Sequence, residues 1–109
     1  MPRLCTLDEI PEGLGRPFEV ACADGTSVRV LVVRQAGEVY AYENRCSHFG
    51  VRLDVTPDYR FVEDGLIVCQ VHYARYDLRS GACVRGECGV EGLRSLPVAV
   101  RDGAVHLLR

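Results

Sequence analysis

The sequence predicts an all-β fold, and two observations carry that prediction. Apolar runs rich in Val, Leu and Tyr recur between turn signals, and none has the length or the 3.6-residue period of an amphipathic helix. A first strand is expected near Leu4. It is followed by one helical turn within Leu7 to Gly13, capped by Asp8 and ended by Pro11 and Gly13. Longer strands are expected over Phe18 to Cys22, Val28 to Arg34, Val39 to Glu43, Leu66 to Cys69, Pro97 to Arg101 and Val105 to Leu108, with shorter ones near Tyr76 and Cys83. Asp24-Gly25, Asp64-Gly65 and Asp102-Gly103 suit tight hairpins because both residue types tolerate positive φ. Ala36-Gly37 and Ser80-Gly81 are weaker signals of the same kind.

The 109 residues suffice for one compact domain, 1–109, and no internal repeat or linker divides them. A net charge of -2 without a basic stripe argues against nucleic acid as a partner. The amino terminus carries charge and proline where a secretory apolar stretch would stand, and no run approaches the roughly 18 apolar residues of a membrane span. A soluble, cytoplasmic protein is expected. In that compartment six cysteines (Cys5, Cys22, Cys46, Cys69, Cys83, Cys88) point to metal ligands or buried thiols before a disulfide framework.

Two stretches interrupt the strand pattern, Asn44 to Pro57 and His72 to Ser80, each polar and rich in glycine and aromatic residues. Loops held by a rigid sheet are where exposed ligands can stand. The first carries Cys46-Ser47-His48, and Cys69-Gln70-Val71-His72 leads into the second. Two thiols and two imidazoles, one of each per loop, suit either tetrahedral zinc or an iron-sulfur cluster. A zinc finger more often groups its cysteines on one element and its histidines on a helix, and the chain offers no such helix.

The pattern Cys46-x-His48-x-Gly50-x-x-Leu53, followed by Cys69-x-x-His72-x-x-x-Tyr76-Asp77-x-x-x-Gly81, resembles the Rieske family, and the likeness runs from Val28 to the Asp102-Gly103 segment. The resemblance implies a Rieske-like antiparallel β-sandwich with a smaller cluster-binding subdomain formed by two loops, about 44–57 and 69–81. It implies one [2Fe-2S] cluster per chain, with Cys46 and Cys69 on one iron and His48 and His72 on the other. Replacing two thiolates by neutral imidazoles makes the oxidised centre formally neutral instead of dianionic, so an added electron meets less repulsion. The ligands set the working potential.

Departures from the family pattern tune that expectation. High-potential members carry an extra, disulfide-paired cysteine in each loop, where this chain has Val51 and Val71. They also place a serine at the position of Ala74 and a tyrosine at the position of Tyr76. With one hydrogen-bond donor of the set retained, in Tyr76, the potential is expected in the lower half of the family range of roughly -150 to +300 mV. A Tyr76 used only for packing is the competing reading. Soluble members commonly have Pro and Gly where this chain has Gln70 and Tyr73, so the backbone of the second loop is expected to differ. Gly50 completes the first motif. Phe49 and Tyr73, each beside a ligand histidine, either form an apolar docking surface or fold back onto the domain. Arg52 and Arg75, with Arg45, either steer an acidic partner or are ordinary solvated side chains.

The remaining cysteines have weaker claims. Cys83 and Cys88 suit a small disulfide or half of a metal site, and a reducing compartment weighs against the disulfide. Cys5 and Cys22 read as small buried hydrophobes, and His106 as a surface or edge-strand residue. The chain lacks a dinucleotide fingerprint and any nucleophile and base pair apart from the ligands. It is therefore expected to be an electron carrier, not an enzyme: a monomer or weak oligomer taking electrons from a reductase and passing them to an oxygenase or related enzyme. An accessory Rieske-like subunit of a larger oxidoreductase and a structural Cys2His2 zinc module are the alternatives. If the histidines face solvent, their free ring nitrogens titrate, and ferric iron lowers that pKa more than ferrous iron does. The potential should then be flat at low pH and fall by up to about 59 mV per unit for each coupled proton once the oxidised form deprotonates. Voltammetry from neutral to strongly alkaline pH checks this, and a flat line throughout refutes exposed imidazole ligation.

Overall fold

The structure is a computed structural model that describes residues 3–21, 24–45, 52–54, 59–70, 73–86 and 92–108. Among these the chain is nearly all β, as the residue pattern predicts, with one 3-10 turn and no α-helix. Eleven strands form three antiparallel sheets. The first sheet joins β1 (Arg3–Thr6), β11 (Ala104–Leu107) and β10 (Val98–Arg101), in that order. The second orders β2 (Gly15–Ala21), β3 (Ser27–Gln35), β4 (Glu38–Glu43) and β9 (Ser95–Leu96). The third orders β5 (Val62–Glu63), β6 (Leu66–Val68), β7 (Arg75–Asp77) and β8 (Cys83–Arg85).

The run Val30-Leu31-Val32-Val33 in β3 shows why three layers form. Side chains of a strand alternate between faces, yet all four of these are fully buried. Val30 and Val32 pack with Cys5, Ile10, Ala41 and Val105, joining the second sheet to the first. Leu31 and Val33 pack with Tyr42, Ile67, Tyr76 and Leu78, joining it to the third. The middle sheet thus serves two cores. Pro17 is tolerated in β2 because that strand lies at the edge of its sheet.

Turn chemistry follows the expected positions. Ala36-Gly37, Asp64-Gly65 and Asp102-Gly103 take positive φ at both residues, the mirror-image turn that matches strand twist, while Gly25 does so beside Asp24, whose carboxylate accepts from the Thr26 N–H and hydroxyl. Three local expectations are corrected. The helical turn is a 3-10 turn over Leu7–Glu9, and it is Glu9, not Asp8, whose carboxylate accepts from the preceding Thr6 N–H at 2.7 Å. The strand expected over Pro97 to Arg101 begins one residue later, at Val98, and the two-residue strand Ser95–Leu96 before it, in a different sheet, was not expected; Pro97, with no N–H to continue a ladder, separates them. His106 lies in the central strand of the first sheet, opposite Arg3 and Ala99, and is half-buried, not at an edge.

Cys5 is buried, and burial, reinforced by the Glu9 charge, pushes its thiol up to about 11, which fits a packing role. Gly81 joins the second and third sheets by close approach: a Cβ there would lie 2.7 Å from Cε1 of the Tyr42 ring, at φ +77°. The Tyr42 hydroxyl donates to the Leu78 carbonyl at 2.8 Å and cannot easily swing aside. Gly81→Ala should therefore lower stability by about 2–3 kcal/mol, against about 1 kcal/mol for Gly65→Ala, which has open space and only the backbone penalty. Urea midpoints of the two variants compare packing with backbone strain directly.

Candidate metal centre

Two loops leave the second and third sheets. The first runs from the end of β4 to β5, the second from β6 to β7. What fixes the first is Asn44, the only buried polar residue among those described, at 1% exposure. Its backbone N–H donates to the Arg29 carbonyl at 2.8 Å, its side-chain oxygen accepts from the Leu53 N–H at 2.9 Å, and its amide nitrogen donates to Asp54 Oδ1 at 2.9 Å. Positions 44 and 53–54 are thereby tied, and the stretch holding Cys46 and His48 is closed between them. Leu53, fully buried, also accepts from the Gln70 N–H at 2.7 Å, which links the first loop to the second. Farther along, Tyr59 donates its hydroxyl to the Val68 carbonyl at 2.8 Å and packs its ring against buried Phe61. Burial raises the Tyr59 phenol above its ordinary pKa.

Cys69 opens the second loop as a fully buried cysteine. Its carbonyl accepts from the Tyr73 N–H at 2.8 Å, and its own N–H donates to the Ala74 carbonyl at 2.9 Å. A bond from the fifth residue back to the first, with the fifth in left-handed geometry, is the closure also seen at helix ends. Tyr73 has φ +59° accordingly, so a tyrosine occupies a left-handed backbone that suits glycine. That conformation costs an L-residue roughly 1–2 kcal/mol. Tyr76 lies behind the thiol, fully buried in the same core and in register with Ile67.

Of the predicted ligands, Cys69 is placed by the structure, while Cys46, His48 and His72 lie outside the described residues, as do Gly50 and Phe49. Tyr73 does not fold back: its side chain is 70% exposed. Arg45, Arg52 and Arg75 each stand within ion-pair distance of a carboxylate on the same chain, Glu43 at 3.9 Å, Asp54 at 3.2 Å and Glu63 at 4.0 Å. These surface pairs blunt any basic patch. Against the expectation from a reducing compartment, Cys83 is disulfide-bonded, and Cys88 lies outside the described residues. Asn44 and Tyr59 carry no chemistry of their own and their residue types gave no signal of their bracing role. The one available hint for Asn44 was a polar residue directly after a predicted strand.

The donor set fits an iron-sulfur cluster better than a closed zinc site. Cys69 is buried on a turn clamped to its own backbone and is tied through Gln70 and Leu53 to the loop whose sequence mixes Cys and His, an arrangement of loops, with no α-helix among the described residues, that suits such a cluster. The profile of the Rieske [2Fe-2S] domain matches residues 2–97, and the chain belongs to that family. It is a ferredoxin-type electron carrier with one [2Fe-2S] cluster. Among curated proteins it is 28% identical, over 95% of this chain and 90% of the other, to the 3-phenylpropionate/cinnamic acid dioxygenase ferredoxin subunit of Photorhabdus laumondii. Among solved structures it matches the ferredoxin of carbazole 1,9a-dioxygenase from Nocardioides aromaticivorans, with 33% identity and a TM-score of 0.75 over 97% of this chain and 94% of that one. The fold also matches a chain in a complex of reduced oxygenase and oxidized ferredoxin of a carbazole 1,9a-dioxygenase, with 22% identity and a TM-score of 0.76 over 97% of this chain and 90% of that one. Among the described residues no helix is long and apolar enough to cross a membrane.

Removing the Asn44 amide strands the buried Leu53 N–H and frees both ends of the first loop. Asn44→Ala should lower stability by about 2 kcal/mol. It should also reduce the iron and acid-labile sulfide recovered per chain, whereas Arg45→Ala, one residue away and exposed, should leave both unchanged. Denaturant titration with iron and sulfide assays distinguishes the two.

Proposed function

We propose that residues 1–109 act as one domain whose loops, 44–57 and 69–81, hold the cluster through Cys46 and Cys69 on one iron and His48 and His72 on the other. The protein takes an electron from a reductase and delivers it to the terminal oxygenase of a ring-hydroxylating dioxygenase system. The observation that carries this reading is the clamped, buried Cys69 thiol joined through Gln70 and Leu53 to the loop that bears Cys46 and His48. When bound, the cluster supplies a one-electron couple.

The chain's own residues do the rest. Two backbone hydrogen bonds hold Cys69 so that its sulfur stays put between oxidation states, which keeps reorganisation small. Leu53, Cys69, Ala74 and Tyr76 form a dry, apolar backing that excludes water from the inner side of the site. Low solvent access on one side and histidine ligation on the other are levers on the potential. The Tyr76 hydroxyl is assigned as the one donor toward cluster sulfur that the loop sequences retain, an assignment supported by its burial in the core that also holds Cys69. The names of the relatives, ferredoxin components of aromatic dioxygenases, support the oxygenase as acceptor.

Anaerobic purification should give a coloured protein with two irons and two acid-labile sulfides, whose reduced form shows the EPR signal of a mixed-ligand binuclear centre. Cys69→Ser should abolish that signal and Cys5→Ser should leave it intact. A colourless wild type with one zinc and no sulfide would overturn the assignment.

A further inference from the structure

Five residues other than glycine adopt positive φ among those described: Ala36, Phe61, Asp64, Tyr73 and Asp102. Four are accounted for within the fold. Ala36, Asp64 and Asp102 each precede a glycine in a two-residue hairpin turn, and Phe61 has its ring fully enclosed in the core. Tyr73 is neither. Its turn requires the left-handed conformation, a glycine would meet that requirement without strain, and the aromatic ring placed there instead is 70% exposed, the largest exposure of any big hydrophobic side chain described. Internal packing does not compensate for the strain.

Position supplies the missing use. Tyr73 directly follows His72, and an acceptor must cover that end of the molecule to come within electron-transfer distance. We propose that Tyr73 is the specificity-determining anchor that inserts into an apolar socket on the acceptor oxygenase, an inference that rests on the function proposed above. Tyrosine offers a large amphipathic contact with few torsions to freeze. The clamped turn, with bonds from Tyr73 to Cys69 and from Cys69 to Ala74, fixes the direction in which the ring leaves the surface before docking. Charge contributes little by comparison, since Arg45, Arg52 and Arg75 are each paired with a carboxylate of the same chain. Docking is thus dominated by the ring and only weakly sensitive to salt.

The test uses the full-length holoprotein, chemically reduced so that no reductase is needed. Stopped-flow reduction is followed for a panel of purified terminal oxygenases from 3-phenylpropionate, anthranilate and carbazole dioxygenase systems, and the fastest acceptor of wild-type electrons is kept. Tyr73→Gly should show a thermal midpoint equal to or above the wild type, an unchanged EPR spectrum and reduction potential, and a second-order transfer rate about tenfold lower. Tyr73→Phe should stay within about twofold of the wild type, and the loss in Tyr73→Gly should persist at high salt. Tyr73→Gly transferring as fast as wild type overturns the anchor, as does a lowered midpoint, which would make the ring structural. Wild type that reduces no oxygenase in the panel overturns the parent reading and the anchor with it, and that result is distinct from a defect confined to the variant.

Discussion

The side-chain amide of Asn44 does for the first loop what a disulfide does in other small domains. It holds two points of the chain ten residues apart by satisfying a buried N–H with its oxygen and the Asp54 carboxylate with its nitrogen. Buried polar groups are tolerated only when their hydrogen-bonding capacity is met, and a network that is met specifies one geometry. Everything the site needs follows from that geometry. Leu53 is placed so that its carbonyl receives the Gln70 N–H, and the second loop therefore closes against the first and not against solvent. A weaker closure would leave the two ligand pairs free to part.

Beneath this lock the middle sheet gives the loops a stiff base. Because Val30 to Val33 are buried on both faces, β3 couples a core under the first sheet to a core under the third. The cluster-bearing sheet is short-stranded and would be marginal alone. It draws stability from Leu31, Val33 and Tyr42 of the middle layer, and Gly81 permits the approach by leaving room for the Tyr42 ring.

Most of the scaffold was legible because its signals are local. The positions of β3 and β4 follow from apolar residues between the Asp-Gly and Ala-Gly turns, and the turn geometries follow from residue chemistry. The two-residue strands β5 and β9 carry too few side chains to show a period, so neither was expected. At the site, the Cys and His spacing was readable because ligand chemistry restricts residue type. Asn44 and Tyr59 were not, since their worth depends on backbone groups nine residues distant in sequence and, for Asn44, on the Asp54 carboxylate ten away. Tyr73 was singled out, but its left-handed backbone and its exposure could not be read from its residue type. The state of Cys83 was likewise beyond reach of spacing, because pairing depends on where the two Cβ atoms lie.

The division of labour between the strands and the loops bears on how such a carrier can diversify. The stretches proposed to hold the cluster hang from the ends of β4 and β6 and are backed by the core that holds Cys69 and Tyr76, while the core between the first and second sheets contains none of the proposed site residues. Substitutions at the tips can thus reset voltage and clientele while the core between the first and second sheets barely changes, and repacking of that distant core can proceed without detuning the couple. Part of the chain's durability is thus inherited through side chains that do not set its redox character.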